Sequence, residues 1–263
     1  MCGRFVSARK RLELLEEFAA ERDSVGEDRD ADYNVAPTKR IYTVLTPRGS
    51  GGHGGTDSPS IGGSGGAVPP EAAERELRLV RWGLVPSWAK DKSGGARMIN
   101  ARAETVAVKP SFRSAFAKRR CIIPADGYYE WQAVEKAKQP YYIYRTDGGI
   151  LAFAGIYELW RDASVPDDDE RAWYWSAAII TTDATDGIGR IHDRTPMVIA
   201  PESWADWLDP ANNEKEVLLA TMLPATSPGA GGLTSHPVSM AVNSVRNNGP
   251  DLVEPLAERP PLF

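Results

Sequence analysis

The sequence contains little cysteine, little histidine and no long apolar run. Its 263 residues include two cysteines, Cys2 and Cys121, and three histidines. Two cysteines are too few for a disulfide framework and their spacing matches no zinc motif, so we expect no disulfide scaffold, no metal and no other cofactor. No apolar stretch reaches the roughly 18 residues of a membrane span, and the basic N-terminus lacks the apolar segment of a secretory signal. These absences predict a cytoplasmic protein that does not contact membranes.

The remaining composition is that of an ordinary globular protein. Apolar residues make up 42% of the chain and charged residues 25%, which excludes the disordered and fibrous classes. The length suits one large domain or two small ones, and we favour a single domain over 1–263, present as a monomer. Within it, 47–70 is rich in Gly, Ser and Pro and holds almost nothing that could be buried. This segment predicts a flexible insertion in a loop between two strands.

Basic residues are concentrated in one part of an acidic chain. The formal net charge is -5, which taken globally argues against a nucleic-acid partner. Residues 78–120, however, contain eleven Lys and Arg but two Asp and Glu, so that part carries +9 and the remainder -14. Such asymmetry can place a cationic face on an acidic body, as a polyanionic ligand requires. The alternative is a set of solvated charges scattered over the surface.

Hydrophobic periodicity predicts both helices and strands. Leu12, Leu15 and Phe18 recur at helical spacing, so we expect an amphipathic helix over 8–22 with Ser7 as its cap. Short β-branched or aromatic runs bounded by Gly, Pro or Asp predict strands at 41–45, 77–82, 141–144, 150–156, 173–181 and 197–200. Further helices are expected at 111–118, 201–208 and 212–222. Because regular helices do not separate the strands, we expect an α+β fold with a curved, mainly antiparallel sheet and peripheral helices.

The first four residues, Met1-Cys2-Gly3-Arg4, indicate a capacity for covalent chemistry. Removal of Met1, which methionine aminopeptidase carries out when the second residue is small, would place an α-amino group and a thiol on adjacent carbons of Cys2. The reference pKa of an α-amine is about 7.8 against about 10.4 for lysine, so roughly a few hundredfold more of it is nucleophilic at neutral pH. Such an amine forms a Schiff base with an aldehyde, and the neighbouring thiol, a few per cent of it thiolate, can close a thiazolidine ring. The alternative is that Cys2 is a small buried residue near the start of a strand.

Eight segments, in order along nearly the whole chain, resemble the SOS-response-associated peptidase (SRAP) family, also called abasic-site processing proteins. The segments are MCGRF at 1–5, YNVAPT at 33–38, RWGLVPSWAK at 81–90, INARAET at 99–105, RRCIIPADGYYEW at 119–131, GIYELW at 155–160, IHDRTPMVI at 191–199 and HPVSMAVNSV at 236–245. The resemblance implies a β-barrel-like core, attachment of the N-terminal cysteine to abasic DNA, and a preference for single-stranded DNA. A prokaryotic member would then be associated with the nucleoid. The main departure from the family is the insertion at 47–70.

The resemblance also assigns four catalytic positions. Cys2 matches the nucleophilic cysteine, and Asn100 an active-site asparagine whose amide can hydrogen-bond the α-amine and a sugar hydroxyl. Glu130 matches a catalytic glutamate whose aromatic neighbours would raise its pKa, and His192 a histidine suited to opening the sugar hemiacetal. From the residues alone, Asn100 could instead be a turn residue, Glu130 a solvent-facing strand residue and His192 a structural histidine. We interpret His236 as structural.

A second group of positions matches residues that the family uses to bind DNA. Arginine binds phosphate through charge-assisted hydrogen bonds, and tryptophan offers a flat surface for an unstacked base. The predicted DNA-binding residues are Arg4, Asn34, Pro37, Trp88 and Arg102. Tryptophan lies in a core more often than on a binding surface, so Trp88 depends on the resemblance and on its basic neighbours.

Two other classes of function compete with abasic-site capture. In an N-terminal-nucleophile amidohydrolase of the glutamine type, which also begins with Cys-Gly after processing, the α-amine is a base and the thiol attacks an amide. A non-catalytic single-strand-binding module would use the basic segment alone and would keep all its activity without Cys2. Within the favoured chemistry, strand cleavage from the Schiff base and self-cleavage after Met1 are side activities. The sequence leaves the protein partners at replication sites open.

Overall fold

A computed structural model describes residues 2–47, 74–135, 137–166, 169–184, 186–227 and 232–257. The insertion predicted at 47–70 lies outside the described residues except for Pro47. The strands are β1 (Phe5–Ser7), β2 (Arg22–Asp23), β3 (Asp32–Val35), β4 (Arg40–Leu45), β5 (Glu76–Trp82), β6 (Asn100–Arg102), β7 (Arg120–Ala125), β8 (Gly127–Val134), β9 (Ala137–Arg145), β10 (Leu151–Arg161), β11 (Trp173–Asp183), β12 (Arg194–Ile199), β13 (Met222–Pro224) and β14 (Leu233–Pro237). The helices are α1 (Arg11–Glu17), α2 (Ala103–Val106), α3 (Arg113–Lys118), α4 (Asp186–Gly189), α5 (Trp204–Leu208) and α6 (Lys215–Thr221).

The strands form two sheets of unequal size. The smaller sheet has the order β14-β9-β8-β1-β3. The larger has the order β13-β12-β10-β7-β4-β5-β11-β6, with β2 added to β5. Because β11 also pairs with β10, the strands β10, β7, β4, β5 and β11 close into a ring. Parallel pairing is confined to β11 with β5 and β6, and to β2 with β5, within the described residues. The prediction of an α+β fold with a curved, mainly antiparallel, barrel-like sheet is confirmed.

One of the hydrophobic clusters joins the start of the chain to the ring. Phe5 of β1 is buried and packs edge-on against Trp82 of β5, with ring centroids 5.1 Å apart, and against Phe153 of β10 at 6.2 Å. Cys2 and Tyr128 belong to the same buried cluster. Burying a phenylalanine contributes about 1.5–3 kcal/mol, so Phe5 is a strong anchor for β1. The N-terminal residues are thereby held against the core.

Several predicted elements are present with shifted ends. The helix expected over 8–22 is shorter, Arg11–Glu17, and the prediction of Ser7 as its cap was wrong because Ser7 ends β1. The helix instead begins after Lys10, whose backbone N–H donates to the Glu13 carboxylate at 3.0 Å. The strands expected at 141–144 and 150–156 extend to nine and eleven residues as β9 and β10. The other predicted strands and helices are confirmed within three residues at each end.

Eight strands of the described residues were not predicted, among them the adjacent β7 and β8. All six residues of β7 are buried, Pro124 among them, so the alternation that marks a half-exposed strand is missing. Proline also argues against a central strand, yet Pro124 pairs with Ala152 of β10. The first four residues of β8 are equally buried, and Glu130 is one of them. Burial on both faces removes the alternation, and Pro124 and Gly127 interrupt the short β-branched and aromatic runs, so the sequence pattern did not mark these two strands.

Candidate functional site

Strands β1 and β8 bring Cys2 next to Glu130. The two strands are antiparallel, with Phe5 opposite Tyr128, and the Tyr129 N–H continues the ladder by donating to the Arg4 carbonyl at 2.9 Å. Cys2 is fully buried. Burial raises the pKa of its thiol, and the negative charge of Glu130 raises it further. Cys2 is therefore held as a neutral thiol beside a carboxyl group, unlike the partly ionised thiol expected from the sequence.

Asn100 is placed against Cys2 by the edge of the large sheet. It begins β6, which runs parallel to β11 with Asn100 opposite Ile179. The carbonyl of the preceding Ile99 accepts hydrogen bonds from the Trp82 indole at 2.9 Å and from the Ile179 N–H at 3.0 Å. From this fixed backbone, Asn100 Nδ2 donates to the Cys2 carbonyl at 2.7 Å. Its Oδ1 is buried and has no hydrogen-bond partner in the described part of the chain, so one acceptor close to Cys2 is left unsatisfied.

Glu130 is a buried acid in the middle of β8. Its side chain is 2% exposed, and the preceding Tyr128 and Tyr129 are both fully buried. Desolvation raises its pKa from 4.5 to about 7, because burial penalises the charged carboxylate. At neutral pH both protonation states are populated, so Glu130 can donate and accept a proton in one reaction cycle.

His192 faces Glu130 from the loop between α4 and β12. Its Nε2 lies 3.9 Å from Glu130 Oε2, and its side chain is 29% exposed. Burial lowers its pKa, which favours the neutral imidazole. In that form Nδ1 accepts the Arg194 N–H at 3.0 Å, and the ring proton lies on Nε2 towards Glu130. The contact of Nδ1 with Asp193 Oδ1 at 2.9 Å requires a proton on Nδ1, which is present in the other neutral tautomer and in the imidazolium form.

The structure therefore brings the four predicted catalytic residues together from separate parts of the chain. Cys2 and Asn100 are joined by a hydrogen bond, Glu130 interacts electrostatically with Cys2, and His192 lies across from Glu130. This arrangement supplies a nucleophile, an amide that fixes it, and two groups that can exchange protons near neutral pH. That combination is what a stepwise addition to a carbonyl compound needs.

Two of the predicted DNA-binding residues are engaged within the protein. Arg4 Nη1 donates to Asn34 Oδ1 at 2.6 Å and to the Val242 carbonyl at 2.8 Å, and its guanidinium lies 5.7 Å from the Trp131 ring centroid. Asn34 is fully buried and also donates to the Ser244 carbonyl at 3.0 Å. In this conformation Asn34 fixes Arg4 and the segment near 244, so a contact between Asn34 and DNA stays a prediction.

The other three lie nearer to solvent. Trp88 is 67% exposed, Arg102 is exposed, and Pro37 is half-buried. Arg102 follows Asn100 by two residues on β6 and has no ion pair within the described ranges. An exposed tryptophan is suited to stacking on a base, and an unpaired arginine two residues from Asn100 is suited to a phosphate. Their part in DNA binding stays a prediction.

The basic segment 78–120 is divided by the fold. Arg120 is buried and donates to backbone carbonyls, Arg119 pairs with Glu158 at 2.6 Å, and Arg78 pairs with Glu76. The other cations of the segment are exposed: Arg81, Lys90, Lys92, Arg97, Arg102, Lys109, Arg113 and Lys118. The prediction of a cationic surface therefore applies to a subset of the eleven residues.

The sequence analysis did not predict the contacts that hold β8 against β12 and the loop that carries His192. Gln132 Nε2 donates to the Arg190 carbonyl at 3.1 Å, which ties the end of β8 to the loop that carries His192. Tyr128 Oη and Thr195 Oγ1, both buried, lie 3.2 Å apart and join β8 to β12. Each residue lies within two to three positions of a predicted catalytic residue, but the partners are far apart in sequence, so no local signal identifies them.

Other kinds of site receive no support from the described residues. Among them, no group of three or more His, Cys, Asp and Glu side chains is arranged to hold a metal ion. No helix in the described ranges is long and apolar enough to cross a membrane.

Comparisons with known proteins agree with this architecture. The family model described as "SOS response associated peptidase (SRAP)" matches residues 1–245. Abasic site processing protein YoqW of Bacillus subtilis is 34% identical over 97% of this chain and 99% of its own length. Abasic site processing protein YedK of Escherichia coli is 32% identical over 97% of this chain and its whole length. A crystal structure of a Bacteroides thetaiotaomicron protein superposes with a TM-score of 0.75 at 25% identity, covering 97% of this chain and 100% of that one. This chain belongs to the SRAP family.

Proposed function

We propose that this protein captures abasic sites in single-stranded DNA through a covalent bond to Cys2, once removal of Met1 has made Cys2 the N-terminal residue. The observation that carries the proposal is the environment of Cys2. Its carbonyl is held by Asn100 Nδ2 at 2.7 Å, and the carboxyl of Glu130, with a pKa of about 7, lies beside it. The relatives named abasic site processing proteins support the choice of substrate. Loss of Met1 would both create the reactive amine and shorten the chain in front of the buried Cys2.

The first step is opening of the abasic sugar, which exists mostly as a closed hemiacetal. In the neutral tautomer that carries its proton on Nδ1, which can donate to Asp193 Oδ1 at 2.9 Å, Nε2 of His192 can accept the proton of the hemiacetal hydroxyl and return it to the ring oxygen as the ring opens. The pKa of His192, lowered by burial, keeps the neutral imidazole populated at neutral pH. The product is an open-chain sugar with an aldehyde at C1′.

The second step joins the α-amine of Cys2 to that aldehyde. The amine nitrogen adds to C1′ to give a carbinolamine, and protonated Glu130 donates its proton to the carbinolamine hydroxyl. The hydroxyl leaves as water, which yields a protonated imine and a Glu130 carboxylate. Asn100 Nδ2 holds the Cys2 carbonyl throughout, so the amine approaches in a fixed orientation.

The third step closes a thiazolidine ring. Cys2 Sγ attacks the imine carbon, the carbon–nitrogen π pair returns to nitrogen, and the thiol proton passes to the Glu130 carboxylate. Because the pKa of the buried thiol is raised, this proton transfer replaces the preformed thiolate that the sequence alone suggested. The overall reaction of aldehyde and aminothiol releases one water and restores Glu130 to its protonated form. Cleavage of the DNA strand by β-elimination competes at the imine stage.

The test is to incubate the purified protein with single-stranded DNA that carries one abasic site, and to analyse it on a denaturing gel and by intact mass. We expect an adduct on a chain that lacks Met1, with the mass of protein plus DNA minus one water. Cys2→Ala keeps an N-terminal amine but cannot close the ring, so it should give an adduct that survives denaturation only after borohydride reduction. Cys121→Ala, which removes the other buried cysteine, is the matched control and should form the adduct normally.

Each competing class of function gives a different result. A single-strand-binding module would bind this DNA equally well with and without Cys2 and would form no adduct. A glutamine amidohydrolase would release ammonia from glutamine and ignore the abasic site. An adduct on protein that retains Met1 would contradict the proposal, because its α-amine would not be on Cys2.

A further inference from the structure

An open pocket of about 430 Å³ lies at the end of β5, outside the proposed catalytic site. We call it the Arg81 pocket. Its lining residues are Thr38, Arg81, Gly83, Lys92, Ser93, Gly95, Ala96 and Tyr174. Two cations, two hydroxyl side chains and one phenol thus face a single cavity, and none of its lining residues is acidic. Such a lining fits a small anionic group with an attached planar ring.

The floor of the Arg81 pocket depends on two glycines that pack backbone to backbone. Gly83 has a φ of +128°, and a Cβ at this position would lie 2.6 Å from the Gly95 carbonyl oxygen. A Cβ on Gly95 would lie 2.7 Å from the Gly83 carbonyl oxygen. Side chains are therefore excluded from the floor, and the loop that follows Lys92 can approach β5 closely.

Arg81 occupies an electrostatically unfavourable position in the free protein. It lies directly opposite Arg40 on the neighbouring antiparallel strand, and both residues are exposed. Like charges directly opposite each other destabilise a sheet, here without a carboxylate partner for either arginine in the described part of the chain. An anion bound at this position would relieve that repulsion.

Lys92 is held over the pocket by aromatic rings. Its Nζ lies 5.5 Å from the ring centroid of Tyr174 and 5.7 Å from that of Trp160. It also approaches Asp162 Oδ2 at 3.4 Å, so its charge is partly compensated. Arg81 is consequently the main uncompensated cation of the pocket, and Lys92 is a second, pre-positioned one.

The Arg81 pocket is close to the residues predicted to bind DNA. Thr38 follows Pro37, and the Trp160 indole N–H donates at 2.7 Å to the carbonyl of Ala89, the residue after Trp88. Along β11, Ser176 pairs with Arg81 and Ile179 pairs with Asn100. Three residues of a strand span about 10 Å, so the backbones of Arg81 and Asn100 are separated by about the length of three nucleotides of a stacked DNA strand.

We infer that the Arg81 pocket binds a backbone phosphate of the DNA strand that flanks the reacting nucleotide, with Arg81 as the principal ligand and Lys92 as the second. This inference rests on the proposed function, since it takes DNA as the substrate. It assigns to this protein a phosphodiester subsite that is separate from Cys2 and does not take part in the chemistry. The subsite would hold the strand in register while the abasic sugar reacts.

The test uses single-stranded DNA with a tetrahydrofuran abasic analogue at its centre, which has no aldehyde and cannot react. Neutral methylphosphonate linkages replace phosphates one position at a time on both sides of the analogue, and the dissociation constant is measured for each strand. We expect the methylphosphonate at one position within a few nucleotides of the analogue to weaken binding by the wild type by about three- to tenfold. The same substitution should leave the dissociation constant of R81Q/K92Q unchanged. The double variant should also show a salt dependence of log Kd that is shallower by about 0.7 for each phosphate that the protein no longer neutralises.

R22Q/K215Q is the matched control, because it removes the same charge from exposed residues that lie away from the pocket. Arg22 pairs at the opposite end of β5 from Arg81. This control should keep both the position-specific effect and most of the salt dependence. Circular dichroism and thermal melting of both double variants establish that they are folded.

Two results would overturn the inference. One is a methylphosphonate effect that is the same in wild type and R81Q/K92Q, and the other is the absence of any position-specific effect in wild type. In the second case, saturable competition by inorganic phosphate at constant ionic strength would indicate a site for free anions. The reactive strand tests the proposed function separately: its failure to form an adduct while the methylphosphonate effect persists would refute the cross-linking chemistry and keep the subsite.

Discussion

Replacement of Glu130 by glutamine should stabilise the folded protein at alkaline pH while it abolishes efficient cross-linking. The carboxyl of Glu130 is buried in β8, where its pKa rises from 4.5 to about 7. Glutamine has nearly the same shape and no charge. The variant therefore removes the desolvation of a carboxylate and leaves the packing of its neighbours in place.

The sign and size of the effect follow from the two pKa values. Below about pH 4.5, Glu130 is protonated in both the folded and the unfolded chain and contributes no pH dependence. Between about pH 4.5 and 7 the folded chain binds more protons, so the free energy of unfolding of the wild type falls as pH rises. Each pKa unit corresponds to about 1.4 kcal/mol, so the accumulated loss above pH 7 is about 3 kcal/mol. This is a large part of the roughly 5–15 kcal/mol that stabilises a folded domain.

This pH dependence can be measured by urea unfolding of the wild type and Glu130→Gln at a series of pH values from about 4.5 to 8. Subtracting the two curves removes the contribution of titrating groups that do not interact with Glu130. The advantage of the variant should grow with pH by about 3 kcal/mol. Glu27→Gln, at an exposed position, is the control and should give a difference constant within about 0.5 kcal/mol. A flat difference for Glu130→Gln, or one that falls as pH rises, would refute the assignment of a raised pKa. In native buffer, the rate of adduct formation by Glu130→Gln should be about 10²–10⁴-fold lower than that of the wild type, which is the usual contribution of a general acid–base group.

Three further predictions concern other positions. Asn100→Ala should slow single-turnover adduct formation by about a hundredfold with unchanged DNA affinity, because the Cys2 carbonyl loses its hydrogen-bond donor at 2.7 Å. An unchanged rate would contradict the positioning role of Asn100. Trp88→Ala should weaken binding of unreactive single-stranded DNA by about 1–3 kcal/mol. The control Trp173→Ala, at another exposed tryptophan, should leave the affinity unchanged. Equal effects of the two substitutions would contradict base stacking on Trp88. Arg120→Met should lower the free energy of unfolding by about 3–5 kcal/mol, because the Trp207, Phe116, Ala117, Asp209 and Asn212 carbonyls each lose a buried donor. Denaturant unfolding would measure this loss, and a change below about 1 kcal/mol, as expected for the exposed control Arg113→Met, would contradict it.

The sequence predicted the class of fold better than its details. Short runs of β-branched, aromatic or alternating apolar residues predicted β4, β5 and β11 with nearly correct ends. The same method missed β7 and the start of β8, where every residue is buried and the pattern disappears. It also predicted a helix longer than α1 at both ends, because hydrophobic spacing does not show where capping contacts begin or end a helix.

For the site, the sequence by itself determined which chemical groups are present: an aminothiol once Met1 is removed, an amide, an acid and an imidazole. Their residue types limit the chemistry, and their motifs carry the family resemblance. Only the tertiary structure decided that Asn100 reaches the Cys2 carbonyl, that Glu130 has a pKa of about 7, and that His192 faces Glu130. A pKa and a contact depend on burial and on partners far apart in the chain, and these arise when β1, β6 and β8 pack around one core. For the same reason, the structure alone separated the buried Arg120 from the exposed Arg81 within one basic segment.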